Sequence, residues 1–372
     1  MRFVSPILKK IVYPSLSATG YFSASSRPGV AVLTYHGILP SDYRPIDPAF
    51  DGSFITAQAF RQQLKMLKKR YNVISPEEMK ICIRDGGDFP PRSVLLTCDD
   101  GMMNTLTEML PILEEERLRC LFFVTAASTR SQRTILWYQD LFLMLLRARS
   151  GPFSISSGGI RIGGVLEGVE QRRKVWWQSV ARLSQAGAET RQNLLDVGYS
   201  YFRLEPSLPF YRSRYPAAER HFCLLTAEEL KAVSDNGMTI GAHTLTHPML
   251  SMAPREIAWA EMSESRTRLE SLLGQKIWAF AYPFGHPESV DEHILKMARE
   301  TGFQAAFVNT GGGLGAELTP YALPRIHVSS AMTLAELEAH VSGFYEGLRN
   351  GLGRIRRRRP SSPITQTPSE AA

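Results

Sequence analysis

Two acids stand together after an apolar run in "SVLLTCDDG", and two histidines four residues apart close the stretch "GAHTLTH". Carboxylates and imidazoles are the side chains that hold a divalent cation or move a proton near neutral pH. Successive residues of a strand point to opposite faces, so at a strand end one of Asp99 and Asp100 can bind a cation while the other faces a substrate. A bound cation also offsets the repulsion between the two acids. His243 and His247 share a face if their segment turns helically, and both then reach the ion that Asp100 binds. Two imidazoles and one carboxylate leave coordination positions open to water, as a catalytic rather than a structural site requires. Each piece alone is weak: "DDG" is also a turn sequence, and H-x-x-x-H arises by chance. Their placement at the ends of different strands gives them weight.

The elements around them predict a parallel sheet. "GVAVLTYHGI" (29–38) reads as a buried strand ending in Tyr35–His36, and "TAQAFRQQLKMLKK" as a helix with Phe60, Leu64 and Leu67 at helical spacing. "YNVIS" is a second strand, and "SPEEM" opens a helix with Pro76 in its first turn. The near-continuous apolar strand "SVLLTCDD" is followed by helical "TLTEMLPILEEERL" and the strand "CLFFVTA". Strand, helix and strand in that order indicate crossover helices over a parallel sheet. The rhythm breaks between about 130 and 224, which reads as a mostly helical insertion with a hairpin at "GGIRIGG". It resumes with "TAEELKAVSDNG", whose Thr226 and Glu229 form a capping box before a closing Gly237. Strand "MTIGAHT", a long helix to Leu273, strand "IWAFAYP", a helix near 290–301, and strands "QAAFVN" and "LPRIHV" follow. A final helix opens with a second box, Thr333 with Glu336. The fold class is α/β, a distorted (β/α) barrel whose chemistry sits at the carboxyl ends of its strands. The divisions are a lead segment 1–28, a barrel domain 29–345 containing the insertion 130–224, and a basic tail 346–372.

Composition sets the bounds. The chain has 372 residues, 44% hydrophobic and 21% charged, enough for one large α/β domain or two small ones. Its four cysteines lie far apart with no C-x-x-C pair, which favours a reducing compartment over a disulfide framework or a thiolate zinc site. The net charge of +7 is uneven, with "RIRRRR" at 354–359 preceding a Pro/Ser/Thr-rich end. That tail reads first as solvated and disordered, and otherwise as a contact for the anionic surface of a membrane. No recognition motif accompanies it, so no nucleic-acid partner is expected. In the N-terminal 25 residues, Lys9–Lys10 and Pro14 break an apolar stretch too short to span a membrane. An interfacial segment fits it, and a cleaved export signal stays open. The expected location is the cytoplasm or the periphery of the inner membrane, with export left open.

With these motifs in hand, "TCDDG", "HTLTH" and "AYPFG" resemble the first three motifs of the polysaccharide deacetylase family, the NodB-homology or carbohydrate esterase family 4 enzymes. "YHGI", "LPRIHV" and "WYQD" resemble its longer exopolysaccharide-associated members, and the likeness runs from roughly residue 29 to 345. The resemblance implies that Asp99 is the general base and that Asp100, His243 and His247 hold a divalent metal, zinc before cobalt, iron or nickel. It implies that the Phe284 amide in Pro283–Phe284 donates to an oxyanion, that His327 is a general acid, and that Tyr282, Pro283 and His36 meet the substrate. It also implies hydrolysis of N-acetyl groups on amino sugars of a polysaccharide or its lipid-linked precursor.

The sequence departs from the family pattern in three places. Cys98 stands where an aromatic residue is usual, which reads as a packing change. Ala281 stands where the third motif carries the arginine that keeps the catalytic base ionised, and Arg325 is the candidate to supply that charge. The Asp-x-x-Asp-Trp motif is absent. His36 either lines the cleft or caps a turn, and His286 is expected to face solvent. Trp137, Tyr138, Trp176 and Trp177 at helical spacing read first as core, and otherwise as a sugar-stacking platform. "GGGLG" (311–315) is a loop with no phosphate-binding helix after it. Two alternatives remain: a deformylase or deacetylase of an undecaprenyl-linked sugar, and a non-catalytic carbohydrate-binding relative. The four intact acids and histidines weigh against the second.

Overall fold

The run Ser93–Cys98 has every residue buried, as a strand covered on both faces must. It lies at the centre of a nine-stranded parallel sheet, whose strands we number in chain order. These are β1 (Val30–Tyr35), β2 (Asn72–Ile74), β3 (Ser93–Cys98), β4 (Leu121–Val124), β5 (Thr239–Ala242), β6 (Ala279–Ala281), β7 (Ala305–Val308), β8 (Leu323–Pro324) and β9 (Ile326–His327). The path runs β8-β7-β6-β5-β4-β3-β1-β9, with β2 beside β3. The computed structural model describes residues 6–25, 29–86, 88–129, 133–312 and 319–349.

One short stretch nearly closes the sheet into a barrel. Leu323–Pro324 pairs with β7, and Ile326–His327, two residues on, pairs with β1 through Leu33↔Ile326 and Thr34↔His327. Arg325 stands between the two pairings, and its amide still donates to Val308 at 2.8 Å. Alternation along the strands sorts side chains into two layers. Val32, Leu95, Leu121, Phe123 and Phe307 form one buried cluster. Leu33, Leu96 and Phe122 pack with helix residues such as Phe60, Leu64 and Met109 in another. The architecture expected from the sequence, a distorted (β/α) barrel, is the one present.

Helix starts follow their caps. Thr56 accepts from Ala59 N, and the boxes Ser75–Glu78 and Thr226–Glu229 are both complete. The box expected at Thr333 is half formed. Thr333 accepts from Glu336 N at 3.2 Å, but the Glu336 carboxylate turns to Lys9 at 2.8 Å. That contact is part of how residues 8–24 dock: Tyr13 and Phe22 are fully buried in one cluster with Ala339 of the last helix. Tyr13 and Phe22 of the lead segment thus cover a barrel helix, while Ile7 and Ile11 stay exposed. No helix among the described residues is long and apolar enough to cross a membrane. "RIRRRR" and part of "GGGLG" lie outside the described residues.

The insertion leaves after β4 and returns through the bridges Ile135–Cys223 and Met102–Leu224. It contains the helices Trp137–Arg147, Gly168–Leu183 and Ala188–Phe202, two shorter ones, and the hairpin Gly151–Ser157 with Ile160–Leu166. It has its own core, with Leu141, Met144, Leu166, Val180 and Leu194 fully buried together.

Candidate active site

The three motifs leave β3, β5 and β6 at one level of the barrel. Asp99 N continues the ladder to Tyr35 O, His243 N to Val124 O, and Tyr282 N to Phe307 O, at 2.9, 2.9 and 3.1 Å. The side chains that follow therefore converge over the carboxyl ends of the strands.

Ligand atoms of Asp100, His243 and His247 lie within 4.8 Å of one another, and all three residues are buried. Asp100 Oδ1 is 3.2 Å from His247 Nε2 and 3.5 Å from His243 Nε2. His243 Nδ1 sits 2.7 Å from the Ala281 carbonyl, which only accepts, so that nitrogen carries the proton and Nε2 presents its lone pair. Asp100 Oδ1 is buried with no hydrogen-bond partner of sound geometry. Acceptors converging on one buried point suit a divalent cation, so these residues fit the metal that the sequence implies. Burial alone would raise the Asp100 carboxyl, but the adjacent imidazoles override it and hold the group well below the usual carboxylate range. Burial pushes His247 down, which keeps the ring neutral as a ligand must be.

Strain collects here. Of the seven non-glycine residues with positive φ among those described, Asp100 (74°), Thr244 (63°), His247 (64°) and Phe284 (63°) all belong to this site. Each costs about 1–3 kcal/mol and persists because its surroundings hold it. Thr244 Oγ1 accepts from His247 N at 2.9 Å and so closes the turn between the histidines. Outside that turn stands a buried cluster. Glu261 accepts from Thr246 N at 2.7 Å and from Thr246 Oγ1, Arg191 donates to Glu261 at 3.3 Å and to Thr246 Oγ1, and Trp137 Nε1 donates to Thr246 O at 3.0 Å. Arg191 and Trp137 belong to the insertion, which thereby grips the histidine turn directly.

Asp99 stays outside the triad and is held by Arg325. The guanidinium meets both carboxylate oxygens, Nη1–Oδ1 at 2.6 Å and Nη2–Oδ2 at 2.7 Å, with Thr97 Oγ1 at 3.3 Å from Nη1. Arg325 is fully buried, and its Cζ lies 5.1 Å over the Phe123 ring. Burial would raise Asp99; the guanidinium outweighs it, and the carboxyl falls below its ordinary value. A guanidinium from between β8 and β9 thus stands beside Asp99, while Ala281 carries no charge. His36 and His327 lie ring to ring at 5.0 Å. Burial, and then the neighbouring His36, push His327 down to about 3, so its ring rests neutral.

A cleft of about 380 Å³ opens above these groups. Phe284 lines it, on a loop where Gly285 is required: a Cβ there would come within 2.8 Å of Asn309 N. Tyr282 and Pro283 do not line it. Tyr282 is fully buried, meets the Phe280 ring edge-on at 5.1 Å and donates to Tyr321 O at 3.0 Å; Phe284, two residues on, leaves that side because its left-handed backbone (φ 63°) breaks the alternation. Its assignment to substrate is corrected. His36 lines the cleft, and so does His286, contrary to the expectation that His286 faces solvent; its ring packs 5.7 Å from Trp177. Tyr138, Trp176 and Trp177 line it as well, whereas Trp137 is held on the far side by Thr246. Cys98 is buried in the main core, where burial pushes its thiol well up, as a packing residue. Sequence reasoning missed Arg191, Glu261 and the aromatic wall Phe50–Phe54, because buried ion pairs and long-range ring contacts have no local spacing. "FD" at 50–51 carried no periodic signal at all.

The comparisons agree with this geometry. The model of the family "Polysaccharide deacetylase" matches residues 210–306. The chain is 28% identical over 120 residues to the putative polysaccharide deacetylase YxkH of Bacillus subtilis, an alignment covering 32% of this chain and 42% of that protein. It therefore spans less than half of the curated relative it matches. Two solved structures share the fold. IcaB from Ammonifex degensii has a TM-score of 0.53 at 17% identity, covering 85% of this chain and 98% of that one. The Streptococcus pyogenes deacetylase PplD, in complex with acetate, has a TM-score of 0.51 at 18% identity, covering 84% and 98%. "TCDDG", "HTLTH" and "AYPFG" gather at one barrel mouth, and over residues 210–306 the chain is similar to the polysaccharide deacetylase family.

Proposed function

We propose that the protein is a metal-dependent hydrolase that removes N-acetyl groups from amino sugars of a polysaccharide or its lipid-linked precursor. The observation that carries this reading is the division of labour between adjacent acids. Asp100 faces two imidazole nitrogens, while Asp99 is turned to Arg325 and left free of them.

Asp100, His243 and His247 would hold a divalent cation, zinc before cobalt, iron or nickel, which would supply Lewis acidity for water and for an acyl carbonyl. Asp99, kept ionised by Arg325, takes the proton of the attacking water. The Phe284 amide donates to the oxyanion as it forms, a contact worth about 3–4 kcal/mol for a well-placed donor. The leaving amine needs a proton, since it cannot depart as its anion. His327 rests neutral, so it delivers a proton to the amine only after taking over the one that Asp99 removed from water. Atoms balance: water's hydroxyl goes to the acyl carbon and its proton to the amine, giving acetate and a free amino sugar, or formate if the acyl group is formyl.

A carbohydrate substrate accords with the aromatic cleft, which Trp176 and Trp177 line, since sugar rings pack on indoles. The basic tail remains the proposed contact for an anionic membrane surface, at the cytoplasm or inner-membrane periphery, with export open. Acetate release from N-acetylglucosamine oligomers and lipid-linked sugars, with and without chelator, tests the proposal. Chelator-insensitive release contradicts the mechanism. Bound metal with no release from any substrate favours a carbohydrate-binding role.

A further inference from the structure

The cleft wall is joined from three separate stretches, and the joints run around most of the barrel mouth. After β6, the Trp177 ring stands 5.4 Å from Phe284 and 5.7 Å from His286. Trp176 continues the wall: its indole N–H donates to Tyr138 O at 2.8 Å, and its ring lies 5.1 Å from Phe142. Phe142 in turn stacks on Phe50 at 5.6 Å with 6° between planes, which brings the wall to the segment after β1. That last joint is fastened twice. Arg173 of the insertion donates to both Asp47 oxygens at 2.9 Å, and His221 meets Asp51 Oδ1 at 2.8 Å. Asp51 Oδ2 also accepts from the amides of Ile46 and Asp47 at 2.6 and 2.9 Å, so the segment has a fixed shape.

In the strand order of the sheet, this wall passes from β6 across β5, β4 and β3 to β1. The mouth of the remaining strands, β7 to β9, carries none of its joints among the described residues. A chain threaded through a groove needs an entrance and an exit on opposite sides, and here one of those sides is walled. We infer that the cleft takes a terminal N-acylated amino sugar, at the end of a glycan or alone on a carrier, rather than a residue inside a polymer. This rests on the deacetylase reading and adds to it the position of the sugar in its chain. The chemistry shared by both sources is one pyranose with a free end, laid against Trp176 and Trp177 with its acyl group toward Asp99.

The test uses the full-length, metal-loaded protein with two acceptors, an N-acetylglucosamine pentamer and an N-acetylglucosamine on a polyprenyl diphosphate, with products mapped by mass spectrometry. Release confined to one terminal residue of the pentamer, at least about tenfold over internal residues, or release from the polyprenyl arm alone, bears out the inference and tells the two sources apart. Internal residues losing acetate at a comparable rate overturn it while leaving the deacetylase reading intact. No release from either acceptor removes that reading, and the inference with it. Trp177→Ala, checked for folding by circular dichroism, opens the joint to the Phe284 loop and is expected to lower the terminal preference several-fold. An unchanged preference in that variant overturns the wall as its cause.

Discussion

Arg325 closes on Asp99 with two parallel hydrogen bonds, 2.6 and 2.7 Å, from a position between the two strand pairings that complete the barrel. The residue that holds the proposed base ionised is thus the same one at which the sheet closes. Arg325→Ala leaves a buried carboxylate without its partner, which typically costs about 3–5 kcal/mol. Deacetylase activity is expected to fall by about 10²- to 10⁴-fold, the range a positioned general base contributes. Steady-state rates and chemical denaturation of the variant check both; full activity would show that Asp99 does not need this charge.

The histidine turn depends on the insertion. Arg191→Met breaks the pair with Glu261 and the bond to Thr246 while keeping most of the side-chain volume. Metal affinity, measured by competition with a chromogenic chelator, is expected to drop about 10- to 100-fold, as when partners behind metal ligands are removed. Arg191→Lys should recover part of it. An affinity equal to wild type would mean that the cluster is packing alone.

His327 makes stability depend on pH in a calculable direction. Its folded-state pKa is pushed down to about 3 from an ordinary 6.5, so the neutral ring favours folding. That contribution is complete above about 6.5 and is lost as pH falls toward 3, because the unfolded chain binds the proton first. The slope from this one group is at most about 1.4 kcal/mol per pH unit. His327→Gln should therefore flatten the decline of Tm between pH 6.5 and 4; an unchanged decline would place the effect elsewhere.

Tyr282 lies behind the cleft rather than in it. Tyr282→Phe removes one hydrogen bond, to Tyr321 O, and is expected to cost about 1 kcal/mol of stability. KM and kcat should stay within about twofold of wild type. A raised KM would return Tyr282 to the substrate.

The legible parts of the sequence were those with local signals. The near-continuous apolar run Ser93–Cys98, the Thr226–Glu229 box and the apolar spacing of Phe60, Leu64 and Leu67 placed strands and helices because backbone pairing and capping act over a few residues. Asp100, His243 and His247 came together because Asp100 and the His243–His247 turn follow the carboxyl ends of two strands of one parallel sheet. Tyr282 was misplaced because the motif gives positions, while the left-handed turn at Phe284 decides which residue faces the cleft. Glu336 pairing with Lys9 shows a tertiary contact outcompeting a local cap. His286 and the Phe50–Phe142 stack depend on the insertion folding back over the barrel, which no spacing within either segment encodes.

The central claim separates two neighbouring carboxylates by function, and metal content measured alongside acetate release tests it most directly. The account predicts about one equivalent of divalent metal in wild type and in Asp99→Asn, with activity lost in Asp99→Asn, and the loss of both metal and activity in Asp100→Asn. An Asp99→Asn protein that still releases acetate at the wild-type rate, or an Asp100→Asn protein that keeps its full complement of metal, would contradict it.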